Sequence, residues 1–305
     1  MLKYIIKRAG MGILTIFALA TITFFLIKIV PGGPFDLSAE ISDAARTNLE
    51  KKYGTNLSIP DQYAMYLGKL LHGNLGESLK YTGTSVNELI GRGLKATTSL
   101  AVCSFILAII VGTILGIFSA LYPRKLIDNV SMSISTIGIC VPNYVLAILL
   151  MYVFGLKLGW LPIIGLSGWK SYILPTVALA LNPIANIARL VRSSMIDALN
   201  QDYMIAAKSK GLTMPKIVMV HALKNALLPV VTYLGPLVAY LMTGSFVIES
   251  MFTISGVGKI FATSIINRDY TAVVGMTTFF GVIIVLAGLI VDILYTLIDP
   301  RVKYE

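Results

Sequence analysis

The chain has 305 residues, 56% of them hydrophobic and only 13% charged, with a mean hydropathy of +0.80. Soluble domains carry roughly 25% charged residues, so most of this chain must be buried in lipid. Its formal charge of +10 does not point to nucleic acid, because the cations lie at the ends of apolar runs and not in an aromatic-interleaved patch. Topogenic charge beside anionic lipid accounts for it. Cys103 and Cys140 lie inside apolar runs without metal-ligand spacing and read as small core hydrophobes.

Residues 9–30 form a first apolar run after Lys3, Lys7 and Arg8, long enough to span a bilayer. It exceeds a signal-peptide core and ends in Pro31-Gly32-Gly33-Pro34, so an uncleaved span is expected. Lys28, near its far end, is expected to snorkel to the headgroups. From 31 to 95 the composition turns polar, seven acids balancing seven bases. Two short helices, 42–52 and 61–71, are expected there, separated by Gly54 and Pro60.

The second and third spans are placed at 97–121 and 130–154, the latter with Pro142 and Asn143 in its interior. Trp160 and Trp169 follow at positions suited to a headgroup anchor. The fourth, 172–190, carries Asn182, Pro183 and Asn186. The fifth covers 226–248 and the sixth 272–298. Amides beside prolines in mid-span should face water or another helix, which makes Pro142, Asn143, Asn182 and Asn186 candidates for a translocation path, with helix packing as the equal alternative. Asp292 in the sixth span needs a partner, for which Arg189 or Arg192 is expected. Glu249, Arg268 and Asp269 are assigned to the outer mouth, as contacts for an extracytoplasmic protein or as solvated rim charges.

With the N-terminus inside, thirteen Lys and Arg fall on the inner side and four in the short outer loops. That asymmetry puts both termini and the basic island at 202–225 in the cytoplasm. Within the island a helix over 203–210 stops at Gly211, and a second begins after Thr213 with Pro215 in its first turn. Ala206 and Ala207 offer a small-residue surface to a partner backbone. An amphipathic connector lying on lipid fits the same chemistry.

IAAKSKG at 205–211 and HALKN at 221–225 resemble the cytoplasmic EAA loop of binding-protein-dependent ABC importer permeases, with Ile205 in place of the leading Glu, and His221 and Lys224 in place of Ile and Pro. IVPGGPFD at 29–36, ARLVRSSMIDAL at 188–199, IESMFTISGVGKIF at 248–261, NRDY at 267–270 and DPR at 299–301 extend the resemblance to the B-type subunit of the oligopeptide and dipeptide permease branch.

The resemblance implies an all-α, type I ABC importer permease fold with about six spans. Its parts would be a first region over 1–30, an extracytoplasmic segment at 31–95, a five-helix core at 96–298 holding a coupling loop at 200–225, and a tail at 299–305. It implies ATPase coupling through Ala206, Ala207, Gly211, Leu212, His221 and Leu223. It also implies a second permease subunit, two ABC ATPase subunits holding ATP and Mg, an extracytoplasmic substrate-binding protein, a peptide substrate and a prokaryotic inner membrane. This chain itself would bind no cofactor, metal or nucleic acid.

Catalytic alternatives fail on the residues. Gly258-Lys259 lacks the rest of a P-loop, no HExxH occurs, and His72 and His221 have no ligand spacing. An ion-gradient transporter or channel would also suit broken spans with buried amides, though paired intramembrane carboxylates are missing. A related permease for nickel or another small solute is the further alternative.

Overall fold

The fold is taken from a computed structural model that describes residues 2–33, 42–243 and 246–298. Residues 34–36 of the IVPGGPFD motif and the DPR at 299–301 lie outside the described residues, as does the side chain of Lys208. Among the described residues the structure is helical, without a strand and with one isolated bridge between Glu77 and Ser85. Five helical stretches are long and apolar enough to cross a membrane, and a bent pair makes a sixth. The chain divides into two units, Leu2–Thr97 with Ser255–Val285, and Thr98–Ile254 with Leu286–Glu305.

The first unit holds α1 (Leu2–Ile29), α2 (Asp43–Tyr53), α3 (Ile59–Leu71) and the start of α4 (Val86–Leu121). Ser42 and Ser58 cap α2 and α3 with side-chain oxygens that accept from Ala45 N and Asp61 N. Because Ser58 supplies the cap, α3 starts two residues earlier than expected and takes Pro60 into its first turn, where a missing N–H costs nothing. The α1 rings seat on α3: Phe24 stacks on Tyr66 at 5.7 Å between centroids, and Thr21 shares a 2.7 Å hydrogen bond with Tyr63. Lys28, near the end of α1, is fixed by neighbours. It is half-buried, donating to Gln62 Oε1 at 2.5 Å with its ammonium 5.4 Å from the Phe24 ring centroid.

The second unit comprises the rest of α4, then α5 (Leu126–Cys140), α6 (Asn143–Leu150), a π-helical turn Met151–Lys157, and α7 (Trp169–Leu199). The residues of the basic island and the next one form α8 (Asp202–Ser209), α9 (Met214–Lys216), a π-helical Ile217–Ala222 and α10 (Leu223–Ala226). Then come α11 (Leu228–Thr243) and α12 (Phe246–Met251), with α13 (Val257–Ile266) and most of α14 (Tyr270–Ile298) returning to the first unit. There Val86, Leu89 and Ile90 of α4 form a core with Val257 of α13 and Ala272, Met276 and Phe280 of α14.

Helix α7 is the axis of the second unit, packed by α5, α6, α10 and α11. Its length corrects the expected fourth span: Arg189 and Arg192 lie within the helix and do not begin a loop. The third span is also corrected. Pro142 has no N–H and drives Val141 into an extended conformation (φ −82°, ψ 120°), so Leu126–Cys140 and Asn143–Lys157 meet at 105° in place of one gently kinked helix. Cys103 and Cys140 are exposed on outer helix faces, and are not core residues as expected.

Two devices hold this unit together. Gly112 and Gly116 let α4 lie on α7 so closely that an added Cβ would stand 2.8 Å from Ile187 Cβ and 2.6 Å from Val191 Cβ. This is close approach through small residues at four-residue spacing, which serves helix association in lipid. The second is ionic. Arg192 donates from Nε and Nη2 to the two carboxylate oxygens of Asp128 at 2.6 and 2.7 Å. Ser119 Oγ and Arg124 N also donate to that carboxylate. Asp128, not Asp292, is therefore the partner of Arg192, while Arg189 donates to Thr136 Oγ1.

Asp128→Leu strands a guanidinium in an interior built for a carboxylate and should cost about 3 kcal/mol, much of it recovered in Asp128→Leu/Arg192→Leu. Thermal unfolding of the purified variants reads the difference. Equal destabilisation of single and double variants would contradict it. Gly116→Leu should reduce folded yield more than Gly10→Leu, because an added Cβ at Gly10 meets nothing within 4 Å.

Candidate functional site

The island at 202–226 folds as a helical hairpin whose two faces differ. On α8, Met204 and Ala207 are buried, 0% and 7% exposed, where the helix packs on the π-helical Ile217–Ala222. Ile217, Val218, Ala222 and Ala226 complete the inward face. The opposite face exposes Tyr203, Ile205, Met214, Met219 and Val220 together with Ala206. The element thus carries an exposed apolar surface among polar and cationic residues.

Helix α8 stops because Gly211 adopts φ +77°, a left-handed conformation that glycine takes without a Cβ penalty. Leu212 N then donates to Ala207 O at 3.3 Å, the six-to-one bond of a Schellman stop. The second arm is held against the first by Asn225 Nδ2, which donates to the Tyr203 hydroxyl at 2.8 Å. Of the six residues expected to couple, Ala206 and Gly211 are exposed, and Leu212, His221 and Leu223 are partly so. Ala207 differs from the other five: three positions from Met204 on a helix, it shares that residue's inward face and is buried.

A second polar grouping lies on α6, α7 and α11. Asn186 Nδ2 donates to Asn182 Oδ1 at 2.9 Å and reaches the Tyr233 hydroxyl at 3.5 Å. Asn143 Nδ2 donates to the Tyr240 hydroxyl at 3.2 Å. Asn143, Asn182, Asn186 and both tyrosines are partly accessible, and Pro142 is exposed beside them. Neither Tyr233 nor Tyr240 was expected, although their spacing of seven puts both on one helical face. Below the amides, Arg189, Ser193 and Asp197 continue the accessible stripe of α7, at spacings of three and four that keep to one side of the helix.

The outer-mouth assignments change. Asp269 is 1% exposed, and its carboxylate caps α14 by accepting from Ala272 N at 3.1 Å. It also accepts from Leu79 N at 3.0 Å and from Ser78 Oγ. Glu249 is 0% exposed. These carboxylates are structural interior groups, not rim charges, and only Arg268 of the three is accessible. Among the described residues, His, Cys, Asp and Glu come together in no group of three that could hold a metal.

Gly211→Ala forces an L-residue into the left-handed region and should cost about 1 kcal/mol locally. Tyr203→Phe removes one neutral hydrogen bond, worth about 1 kcal/mol. Each should raise amide hydrogen exchange across 202–226 and leave α7 unchanged. Unaltered exchange in both variants would contradict the hairpin described.

Residues 112–304 match the family model of the binding-protein-dependent transport system inner membrane component, and residues 1–106 match its N-terminal companion. The dipeptide transport system permease protein DppB of Bacillus subtilis (strain 168) is 42% identical over 99% of this chain and 98% of its own length. The oligopeptide transport system permease protein OppB of Escherichia coli (strain K12) is 40% identical over 100% of both chains. Among solved structures, a chain of the inward-facing MetNI methionine ABC transporter aligns with TM-score 0.58 at 18% identity, over 69% of this chain and 96% of that one. A chain of an amino acid ABC transporter crystallised with histidines gives 0.52 at 18% identity, over 70% and 94%. The fold is that of an ABC importer permease, and the chain belongs to the binding-protein-dependent transport system inner membrane component family.

Proposed function

We propose that this chain is one permease subunit of an ATP-driven importer of peptides. The observation that carries the reading is the end-to-end relationship to permeases named for oligopeptide and dipeptide transport, at 40–42% identity. Family membership also removes the gradient-driven transporter that broken spans alone would allow. The chain is no enzyme in this reading. ATP and Mg belong to two partner ATPases, a second permease subunit completes the path, and an extracytoplasmic binding protein delivers the substrate. Both termini and the hairpin at 202–226 face the cytoplasm of a prokaryotic cell in this reading, which the distribution of Lys and Arg supports.

The outward face of the hairpin, with Ile205, Ala206 and Gly211 near its centre, is the surface that docks on an ATPase. Ala206 lets the partner's backbone approach, while Met204 and Ala207 anchor the element to the permease so that a push is transmitted and not absorbed. His221 and Leu223 support the second arm from a partly buried position, and Leu212 closes the stop at Gly211. Alternating access follows: ATP binding draws the ATPases together, the hairpin moves as a lever and the spans reopen on the opposite side. The amides of Asn143, Asn182 and Asn186, beside Pro142 and the hydroxyls of Tyr233 and Tyr240, form a neutral polar wall. Such a wall can exchange hydrogen bonds with any peptide backbone without selecting a side chain.

Ala206→Glu and Gly211→Trp should abolish peptide uptake while the chain still inserts in the membrane, with copurifying ATPase lost or reduced in each. Normal uptake by both variants would refute docking through this face. Recovery of the native chain as an isolated homodimer, without ATPases, would refute the importer.

A further inference from the structure

A cavity of about 370 Å³ lies wholly within the first unit, apart from the hairpin and the polar wall. Its walls are the last turns of α1, helices α2 and α3, the stretch from Leu75 to Leu79 and the first turn of α14. Both α1 and α14 belong to candidate spans, and the cavity sits where the first ends and the other begins. That is headgroup depth. The lining has two characters. Phe24, Ile27, Met65 and Val274 supply apolar surface, while Lys28, Lys52 and Lys69 supply three ammonium groups against one carboxylate, Glu77, leaving a formal excess of two positive charges.

Lys28 is the fixed cation of the three, and Lys52 and Lys69 are exposed lining residues. Lys28 is held half-buried by Gln62 and the Phe24 face. Lys52 stands 5.3 Å from the centroid of Tyr53, another wall residue. No described carboxylate pairs with Lys28, whose hydrogen bond goes to a neutral amide. A compact group of excess positive charge beside apolar surface calls for an anion attached to hydrocarbon.

We propose that this cavity is a binding site for the phosphate headgroup of an anionic phospholipid, seated at the end of α1 against the apolar wall of Phe24, Ile27, Met65 and Val274. The phosphodiester would accept from Lys28, Lys52 and Lys69, and the apolar wall would cover the glycerol end of the chains. An acidic segment of a partner protein is the competing occupant.

The full chain, purified in mild detergent with the subunits that accompany it, is reconstituted in nanodiscs of phosphatidylglycerol and phosphatidylcholine. It is then re-extracted, and retained phosphatidylglycerol is counted by native mass spectrometry and phosphorus assay. The combined Lys28→Gln, Lys52→Gln and Lys69→Gln variant should lose retained phosphatidylglycerol by about tenfold, since three charges within one Debye length of the phosphate are removed. The combined Lys125→Gln, Lys157→Gln and Lys170→Gln variant, which removes three exposed charges outside the first unit, should retain it. Arginine at the three cavity positions should restore retention. The proposal is overturned if both glutamine triples lose the lipid equally, if neither loses it, or if arginine fails to restore it. It is also overturned if added inorganic phosphate displaces the lipid at millimolar concentration, or if the cavity variant keeps its lipid and loses a partner protein.

Discussion

The bidentate pair of Arg192 with Asp128 is the ionic contact that ties the helices of the second unit together. It joins the N-terminal turn of α5 to the lower half of α7, and through Ser119 and Arg124 it adds the end of α4 and the turn that follows. In lipid there is little hydrophobic force to bring helices together, so small-residue contacts and buried polar pairs carry that burden. Above the pair, Gly112 and Gly116 bring α4 onto the same helix. Helix α7 is thereby clamped on one side and left accessible along the stripe from Asn182 to Asp197. The hairpin at 202–226 begins three residues after this clamped helix ends.

That arrangement fits the proposed transmission of force through the hairpin. A lever works only if its attachment is stiffer than its bearing surface. The inward face, with Met204, Ala207, Ile217 and Ala222 nearly or fully buried, is the attachment. The outward face is short, apolar and partly built from alanine and glycine, suited to contact without deep interlocking. The π-helical Ile217–Ala222 and the left-handed Gly211 concentrate irregular backbone in the same element. Irregular helix of this type recurs where function requires an altered register.

The cavity at the end of α1 adds a different relation to the membrane. An importer embedded by general apolarity is indifferent to headgroup chemistry, whereas one with a built cationic seat is not. Lys28 illustrates the change. A lysine near the end of a span ordinarily reaches for water, but Gln62 and Phe24 hold this one against the wall of a cavity, where its charge has a fixed position.

Much of this protein was legible in the residue order. Apolar runs of about twenty residues can lie only in lipid, so the number of spans was available from composition. Lys and Arg counts assign a side, and Gly211 with Pro215 announces a stop and a restart because each has a backbone restriction that neighbours cannot remove. The motif resemblance pointed to the family because it was spread over the whole chain. Contacts between distant segments were not legible. Nothing local distinguishes Asp128 from Asp292 as the partner of Arg192, or Ala206 from Ala207 as the residue facing out. Asp269 and Glu249 looked like rim charges because the sequence near them is a loop or a span end, yet folding turns both inward. Sequence by itself determined which segments leave water and where the backbone must turn, since those follow from solvation and local sterics. Tertiary structure alone decided which polar groups meet, because pairing depends on which faces the packed helices present to one another.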